Sequence, residues 1–241
     1  MGRIFDIHNH ILWGVDDGSK NIDMSLRMLK QAEESGTTDV ILTPHNKPNR
    51  RNVYRSEMLE LMNMLKKACV QEGIGINLYH GNEIYYRMDV GERLENGKAA
   101  TMAGSHYVLL EYNPMDDWDY IKRGADDMLA RGYRPIIAHV ERYVNVMKDV
   151  ERVYDLTDKG CYLQVNSGSI MGNFGWKVKS DARKLLKEGV VSFVASDAHE
   201  DTKRTMRMDK CIRYLAKKYG EDFVTTIFET NPMHIINDEY I

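Results

Sequence analysis

The stretch RIFDIHNHILWGVDDG, residues 3–18, sets Asp6, His8, His10 and the pair Asp16-Asp17 close together. Residues 3–8 alternate apolar and polar side chains, the signature of a β-strand, and residues two apart on a strand leave on the same side. His8 and His10 therefore face one way. Two imidazoles at a strand end can hold a metal ion or can stand as polar residues on a wet face, and the remaining sequence has to separate these readings.

Six further runs read as strands, at residues 39–43, 76–79, 107–111, 134–139, 162–166 and 191–196, after a first at 4–8. Helical patterns lie between them. The clearest covers 56–73, where Met58, Leu61, Met62, Leu65 and Ala68 form a stripe at helical spacing. Gly36, Gly73, Gly132, Gly160 and Gly189 each follow a helical stretch, as C-terminal caps do. Alternation of seven strands with helices implies an α/β fold around a parallel sheet, either open or closed into a barrel. Residues 222–228 and 231–241 read as a closing helix and tail without visible chemistry. No repeat, low-complexity tract or linker interrupts the pattern, so residues 1–241 read as one domain.

Composition narrows the function. The chain has 241 residues, 43% hydrophobic content and a formal charge of -3, which gives no broad basic surface for nucleic acid. No apolar run approaches a membrane span, and the first residues lack a signal region, so a cytoplasmic protein without direct membrane insertion is expected. Cys69, Cys161 and Cys211 are sparse, odd in number and far apart, which suits reduced thiols. A thiol phosphatase needs an arginine six residues after its cysteine. Those positions hold Gly75, Ser167 and Lys217 instead.

Chemistry-bearing residues gather where strands end. The first strand leads into His8, His10 and Asp17; the second into His45; the third into Glu83; the fourth ends at Glu111 and the fifth at His139. The sixth ends at Asn166, and the seventh runs into Asp197 and His199. In a β/α barrel the C-terminal strand ends share one rim, where active sites sit. A lone histidine at such a place is ordinarily a structural residue. Five of the eight histidines at strand ends form a pattern that a solvated face does not explain. His80, His106 and His234 fall outside it and read as structural.

The segments DIHNHILWGVDDG, TPH, GNEIYY, LLEY, PIIAHVERY, GCYLQVNSGS and VASDAHEDTKR, in this order between Asp6 and about Asn231, resemble the polymerase-and-histidinol-phosphatase (PHP) superfamily. More narrowly they are similar to the bacterial protein-tyrosine phosphatases of capsule and exopolysaccharide loci, the CpsB/YwqE type. The opening His-x-His is shared with other barrels, whereas VDDG, AHxER and ASDAH together are specific. The resemblance implies a distorted seven-stranded (β/α)7 barrel with a site for three divalent ions, usually manganese, at its C-terminal rim. It implies that His8, His10, Glu83 and Asp197 hold one ion, Asp17, His45 and His199 a second, and Glu83, Glu111 and His139 a third. Either member of the Asp16-Asp17 pair could serve as the ligand, and the motif alignment favours Asp17. Asp6 is expected to orient a ligand imidazole, and Asn46 to stay out of the metal shell. Arg142 and Arg204 take the positions for phosphate contact. The implied substrate is a tyrosine-phosphorylated protein, a membrane-associated autokinase that regulates polysaccharide export.

Imidazole and carboxylate donors without thiolate suit manganese, iron or zinc. Three divalent ions against four carboxylates and a hydroxide leave a positive centre, to which Arg142 and Arg204 add, and a phosphate dianion fits it. A metal-bridging hydroxide is expected to attack phosphorus, with a metal-bound water or His199 as general acid. Arg142 could instead pair with Glu141, and Arg204 could be solvated. Trp13, Tyr85 and Tyr86 could stack on a phosphotyrosine ring or pack into the core, and Arg50-Arg51 could steer an acidic peptide. A histidinol-phosphatase-like activity on small molecules at the same site, and a non-catalytic metal-carrying regulatory module, are the competing functions. Oligomeric state is not legible.

Overall fold

The computed structural model describes residues 2–48 and 50–241. Its strands are β1 (Phe5–Asp6), β2 (Asp39–Leu42), β3 (His45–Asn46), β4 (Asn77–His80), β5 (Glu83–Tyr85), β6 (Tyr107–Glu111), β7 (Arg134–Ile137), β8 (Tyr162–Asn166) and β9 (Phe193–Ala195). Every pairing is parallel. The order β1-β2-β4 forms one sheet and β3-β5-β6-β7-β8-β9 the other. Each of the seven expected runs contains a strand; the bounds agree at 107–111 and 162–166, are shorter for the runs at 4–8, 39–43, 134–139 and 191–196, and are shifted by one residue for that at 76–79.

The two extra strands, β3 and β5, continue β2 and β4 after short interruptions. Pro44 stands between β2 and β3, where it has no N–H to give to a ladder. Its carbonyl is still used: the Asn82 side-chain amide donates to it at 2.9 Å and the Glu83 N–H at 3.3 Å. The parallel pairing of β2 with β4 is taken up again by β3 with β5, which sets His45 and Glu83 opposite one another in register.

The sheet curls. The N–H of His10 donates to the Ala198 carbonyl at 2.8 Å, and the N–H of Asp197 to the His8 carbonyl at 2.8 Å, around a parallel bridge between Asn9 and Ala198. Inside the curl one alternating set of strand residues packs together, among them Phe5, Ile41, Tyr107, Leu109, Ile136, Phe193 and Ala195. Ile235, from the helix Asn231–Asn237, joins this cluster, so the expected closing helix caps the end where the strands begin. On the outer faces Val40, Leu42, Val108, Leu110, Ile137 and Val165 are covered by helices.

The helix Arg55–Gln71 buries Met58, Met62, Leu65 and Cys69, while Leu61 and Ala68 sit at the edge of the stripe. Helix Trp176–Glu188 stops at Gly189, whose φ of 72° is the left-handed conformation that glycine adopts without a Cβ clash; the other four expected capping glycines also have positive φ. No helix among the described residues is long and apolar enough to cross a membrane.

Candidate metal centre

Regular β1 pairing ends at Asp6, two residues before the first imidazole, yet His8 and His10 still converge. Asn9 between them turns the other way: its side chain donates to the Ile41 carbonyl at 3.0 Å, and its N–H to Thr43 Oγ1 at 2.9 Å. His8 Nε2 then lies 3.3 Å from Glu83 and 3.6 Å from Asp197, and His10 Nε2 lies 3.4 and 3.5 Å from the same two carboxylates. Asp197 and His139 reach this centre by departing from the strand path. Both have positive φ, 51° and 34°, strained for residues with a Cβ and found where function over-determines the backbone.

Among the described residues, four groups of donor atoms, each within 4.8 Å of one another, lie here: His10, Asp17, His45 and His199; His8, His10 and Asp197; His8, Glu83 and His139; His45, Glu83 and Glu111. The nine residues named from the sequence are thus all brought together, with His8, His10, His45 and Glu83 each shared between two groups. His106 pairs instead with Asp238 at 2.6 Å, His234 lies 3.4 Å from Glu239, and His80 joins none of the groups.

The donor atoms are oriented, and the hydrogen-bond chemistry shows how. The Gln164 side-chain oxygen accepts from the His139 N–H at 2.8 Å, and a backbone N–H can only donate, so that atom is Oε1. The same oxygen lies 3.0 Å from His8 Nδ1, which must therefore carry a proton, so that the neutral ring has its lone pair on Nε2. His10 Nδ1 faces Asp16 at 2.7 Å, and His199 Nδ1 faces the Asp197 carbonyl at 3.0 Å, with the same consequence. In their neutral forms these three imidazoles present bare Nε2 atoms to the cluster. His8 Nε2 and His10 Nε2 are buried without a hydrogen-bond partner, and Glu83 Oε2 meets only His45 Nδ1, at 2.6 Å. Buried polar atoms without partners cost free energy, and a divalent cation would satisfy all of these together. The residues present fit metal ions.

The carboxylates divide in two. Asp16 is buried and accepts from His10, from the His45 N–H at 2.9 Å and from the Gly18 N–H at 2.9 Å. Burial opposes its ionisation, but the neighbouring His10 and these donors hold it down at about 2. Asp17 turns outward, with its side chain 65% exposed, and lies 3.4 Å from His45 Nε2 and 3.8 Å from His199 Nε2. Glu83 and Asp197 are buried, which disfavours their charge, yet the surrounding imidazoles, His8 first among them, hold both well below the ordinary carboxylate range. His199 is pushed down to about 3 by burial and by the charge of His10. A neutral ring suits a ligand.

Arg142 Nη1 reaches Asp197 Oδ2 at 3.2 Å and Arg204 Nη2 reaches the same oxygen at 2.8 Å. Glu141 does not pair with Arg142; it is buried and accepts from the Asn166 N–H at 3.1 Å. Two expectations are corrected. Asp6 touches no imidazole: it accepts from Ser196 N at 3.0 Å, Ser196 Oγ at 2.5 Å and His8 N at 3.3 Å, and so ties the ends of β1 and β9 together. Tyr86 cannot stack on a substrate. Strand alternation sends Tyr85 and Tyr86 to opposite faces, and Tyr86 is 1% exposed in the outer core against Tyr112 and Tyr120. Tyr85 stays half-buried, paired in register with Glu111. Trp13 packs against the core from a half-buried position, and Asn46 spends its amide on the Lys98 carbonyl at 2.9 Å.

Gln164 and Lys47 escaped the sequence reading, and Asn166, placed there at the end of the sixth strand, was given no role. Gln164 and Asn166 form a chain from His8 to Asp197: Gln164 Nε2 donates to Asn166 Oδ1 at 2.8 Å, and Asn166 Nδ2 to Asp197 Oδ2 at 2.7 Å. The signal was there, two amides at alternate positions of an otherwise apolar strand. Lys47 reaches Glu111 at 2.8 Å and His45 Nε2 at 3.2 Å, and nothing in its loop sequence marked it.

The family description "Capsular polysaccharide synthesis, CpsB/CapC" matches residues 4–237. The tyrosine-protein phosphatase CpsB of Streptococcus pneumoniae is 32% identical over 243 residues, covering 99% of this chain and 100% of that protein. The tyrosine-protein phosphatase YwqE of Bacillus subtilis is 30% identical, covering 97% of this chain and 92% of its own. A crystal structure from work on YwqE and CpsB, described there as unique metal-dependent tyrosine phosphatases, superposes with a TM-score of 0.92 at 28% identity over 99% of this chain and 96% of that one. A phosphotriesterase homology protein of Escherichia coli shares the fold at a TM-score of 0.64 and 13% identity, over 97% of this chain and 98% of its own. By the extent of these matches and by its His- and carboxylate-lined rim, the chain belongs to the CpsB/CapC family.

Proposed function

We propose that this chain is a metal-dependent phosphomonoester hydrolase acting on protein phosphotyrosine, built as a single unit over residues 1–241. The observation that carries the reading is the set of three imidazoles, His8, His10 and His199, whose far nitrogens are tied to acceptors while their Nε2 atoms face carboxylates. His8, His10, Glu83 and Asp197 would hold one ion, Asp17, His45 and His199 a second, and Glu83, Glu111 and His139 a third. Manganese is the first choice, with iron or zinc compatible with the same donors. Such ions supply Lewis acidity toward phosphoryl oxygens and lower the pKa of water.

The chain's own contribution is positioning. Arg142 and Arg204 share one oxygen of Asp197, which holds two planar guanidiniums side by side at the edge of the cluster. Guanidiniums so placed bind phosphate oxygens by paired hydrogen bonds and neutralise charge as the phosphoryl group transfers. Asp17 is exposed, and Lys20, Lys47, Arg50 and Arg51 line a cavity of about 420 Å³ beside it, which gives an acidic polypeptide a landing surface. That openness favours a protein substrate over a small enclosed one, and a tyrosine autokinase of polysaccharide export is the partner proposed. The geometry also supports a distorted (β/α)7 barrel: counting β2 with β3 and β4 with β5 leaves seven strand positions around the curl.

The test pairs elemental analysis with phosphate release. Protein purified with manganese should carry three equivalents and release phosphate from a phosphotyrosyl peptide faster than from histidinol phosphate. Faster release from histidinol phosphate would move the assignment to small molecules, and a fully loaded protein without turnover on either would leave a regulatory module.

A further inference from the structure

Phe174 lies in the turn between the helices Ser167–Met171 and Trp176–Glu188. Its ring centre is 4.8 Å from the guanidinium carbon of Arg142 and 5.9 Å from that of Arg204, the two arginines that also share Asp197. Each guanidinium is thus held by a carboxylate and by an aromatic ring. The turn is shaped for this. Gly172 and Gly175, on either side of Phe174, have φ of 95° and 92°, and a Cβ at Gly168 would come within 2.9 Å of the Phe174 ring. Yet the ring belongs to none of the apolar clusters that make the core. It is half-buried and lines a cavity of about 520 Å³ together with Met171, Asn173, Ser196 and Arg204.

An aromatic side chain that fills no core, touches both phosphate-facing arginines and walls a cavity beside them is placed to meet whatever group the phosphate is attached to. We propose that Phe174 is a specificity-determining residue, the surface against which the phenyl ring of a phosphotyrosine packs while its phosphate meets Arg142 and Arg204. The proposal rests on the phosphotyrosine reading above. Offset or edge-on packing of two rings supplies a preference for aryl over alkyl esters that charge alone does not.

The test uses the manganese-loaded protein and two non-hydrolysable competitors, phenylphosphonate and methylphosphonate, with inhibition constants measured against a phosphotyrosyl peptide. Phe174→Leu keeps an apolar side chain and removes the ring. It should raise the constant for phenylphosphonate roughly 3- to 10-fold and that for methylphosphonate by distinctly less, so that the aryl preference shrinks. Phe174→Tyr should restore the preference. Equal rises for the two competitors, or no rise for either, overturn the proposal while leaving the function intact. A wild-type protein that does not hydrolyse the peptide overturns the phosphotyrosine reading and this inference with it.

Discussion

Gln164 offers the sharpest test of how the rim is organised, because one buried amide serves three partners. Its oxygen accepts from His8 Nδ1 and the His139 N–H, and its nitrogen donates to Asn166. Gln164→Leu keeps much of the volume and removes all three bonds, leaving two donors and one acceptor buried without partners. At about 1–3 kcal/mol for each group so stranded, and with water able to relieve part of it, the fold should lose about 3–6 kcal/mol. For a domain of this size that lowers Tm by roughly 6–24 °C. The second effect is chemical. With Nδ1 of His8 released, its proton is free to move to Nε2, the atom that faces Glu83 and Asp197, and metal affinity should fall roughly 10- to 100-fold, as when other orienting partners are removed. Gln164→Glu separates the two effects. It still accepts from His8 and His139 but cannot donate to Asn166, so Asn166 must either face an acceptor with its oxygen or flip and turn that oxygen toward Asp197. Thermal melts in chelator read the first effect, and manganese titrations followed by phosphate release read the second. If Gln164→Leu melts lower yet binds manganese within twofold of wild type, the tautomer argument is wrong.

The two neighbouring aspartates should behave differently. Asp16→Asn, at a buried acceptor of three bonds, should destabilise the chelated protein by about 1–3 kcal/mol, whereas Asp17→Asn, at an exposed side chain, should leave its Tm within about a degree and lower only its metal content. Burial pushes the thiols of Cys69 up to about 11 and of Cys161 and Cys211 to about 12, so all three stay protonated at pH 8. Iodoacetamide should therefore spare phosphate release while chelation abolishes it and manganese restores it; loss of turnover on alkylation of the folded protein would contradict this. At the opposite end of the sheet, Asp238 accepts from His106 N at 2.8 Å and from Arg134 at 2.9 Å, and although its partial burial works the other way, the bonds to His106 lower its pKa. A depressed carboxylate contributes stability above its unfolded pKa of about 4 and loses it as pH falls through the lower folded value. Asp238→Asn, which tolerates the same left-handed backbone, should melt below wild type at pH 6, and the gap should close toward pH 2.

How much of this was legible depended on whether a residue's partners lie within its own strand. His8, His10 and Asp197 announce themselves because each follows an apolar run that needs no outside information to be read as a strand. The parallel order then brings the C-terminal ends together regardless of sequence distance, so five histidines and four carboxylates could be gathered on one rim before any coordinates. β3 and β5 were not legible as strands, since Pro44 and Gly81 read as the end of the preceding strand; the Pro44 carbonyl between β2 and β3 is taken by the Asn82 side-chain amide. Tyr86 shows a reading that strand alternation alone would have corrected: once Glu83 faces inward, Tyr85 follows it and Tyr86 must face the helices. Asp6 fails for a different reason. Its carboxylate lies near the first imidazole in sequence, but its partner is Ser196, one hundred and ninety residues away, and only the closing of the curl brings the two together. The same holds for Phe174, a lone aromatic between two glycines, whose meaning depends on two arginines that arrive from separate strand ends. What a strand does to its own side chains can be read from spacing; which strand end meets which is a property of the whole sheet. A rim assembled from several strand ends has its orienting residues less visible than its candidate ligands, because the candidates are recognised by their chemistry and their supports are whatever the neighbouring strand can reach.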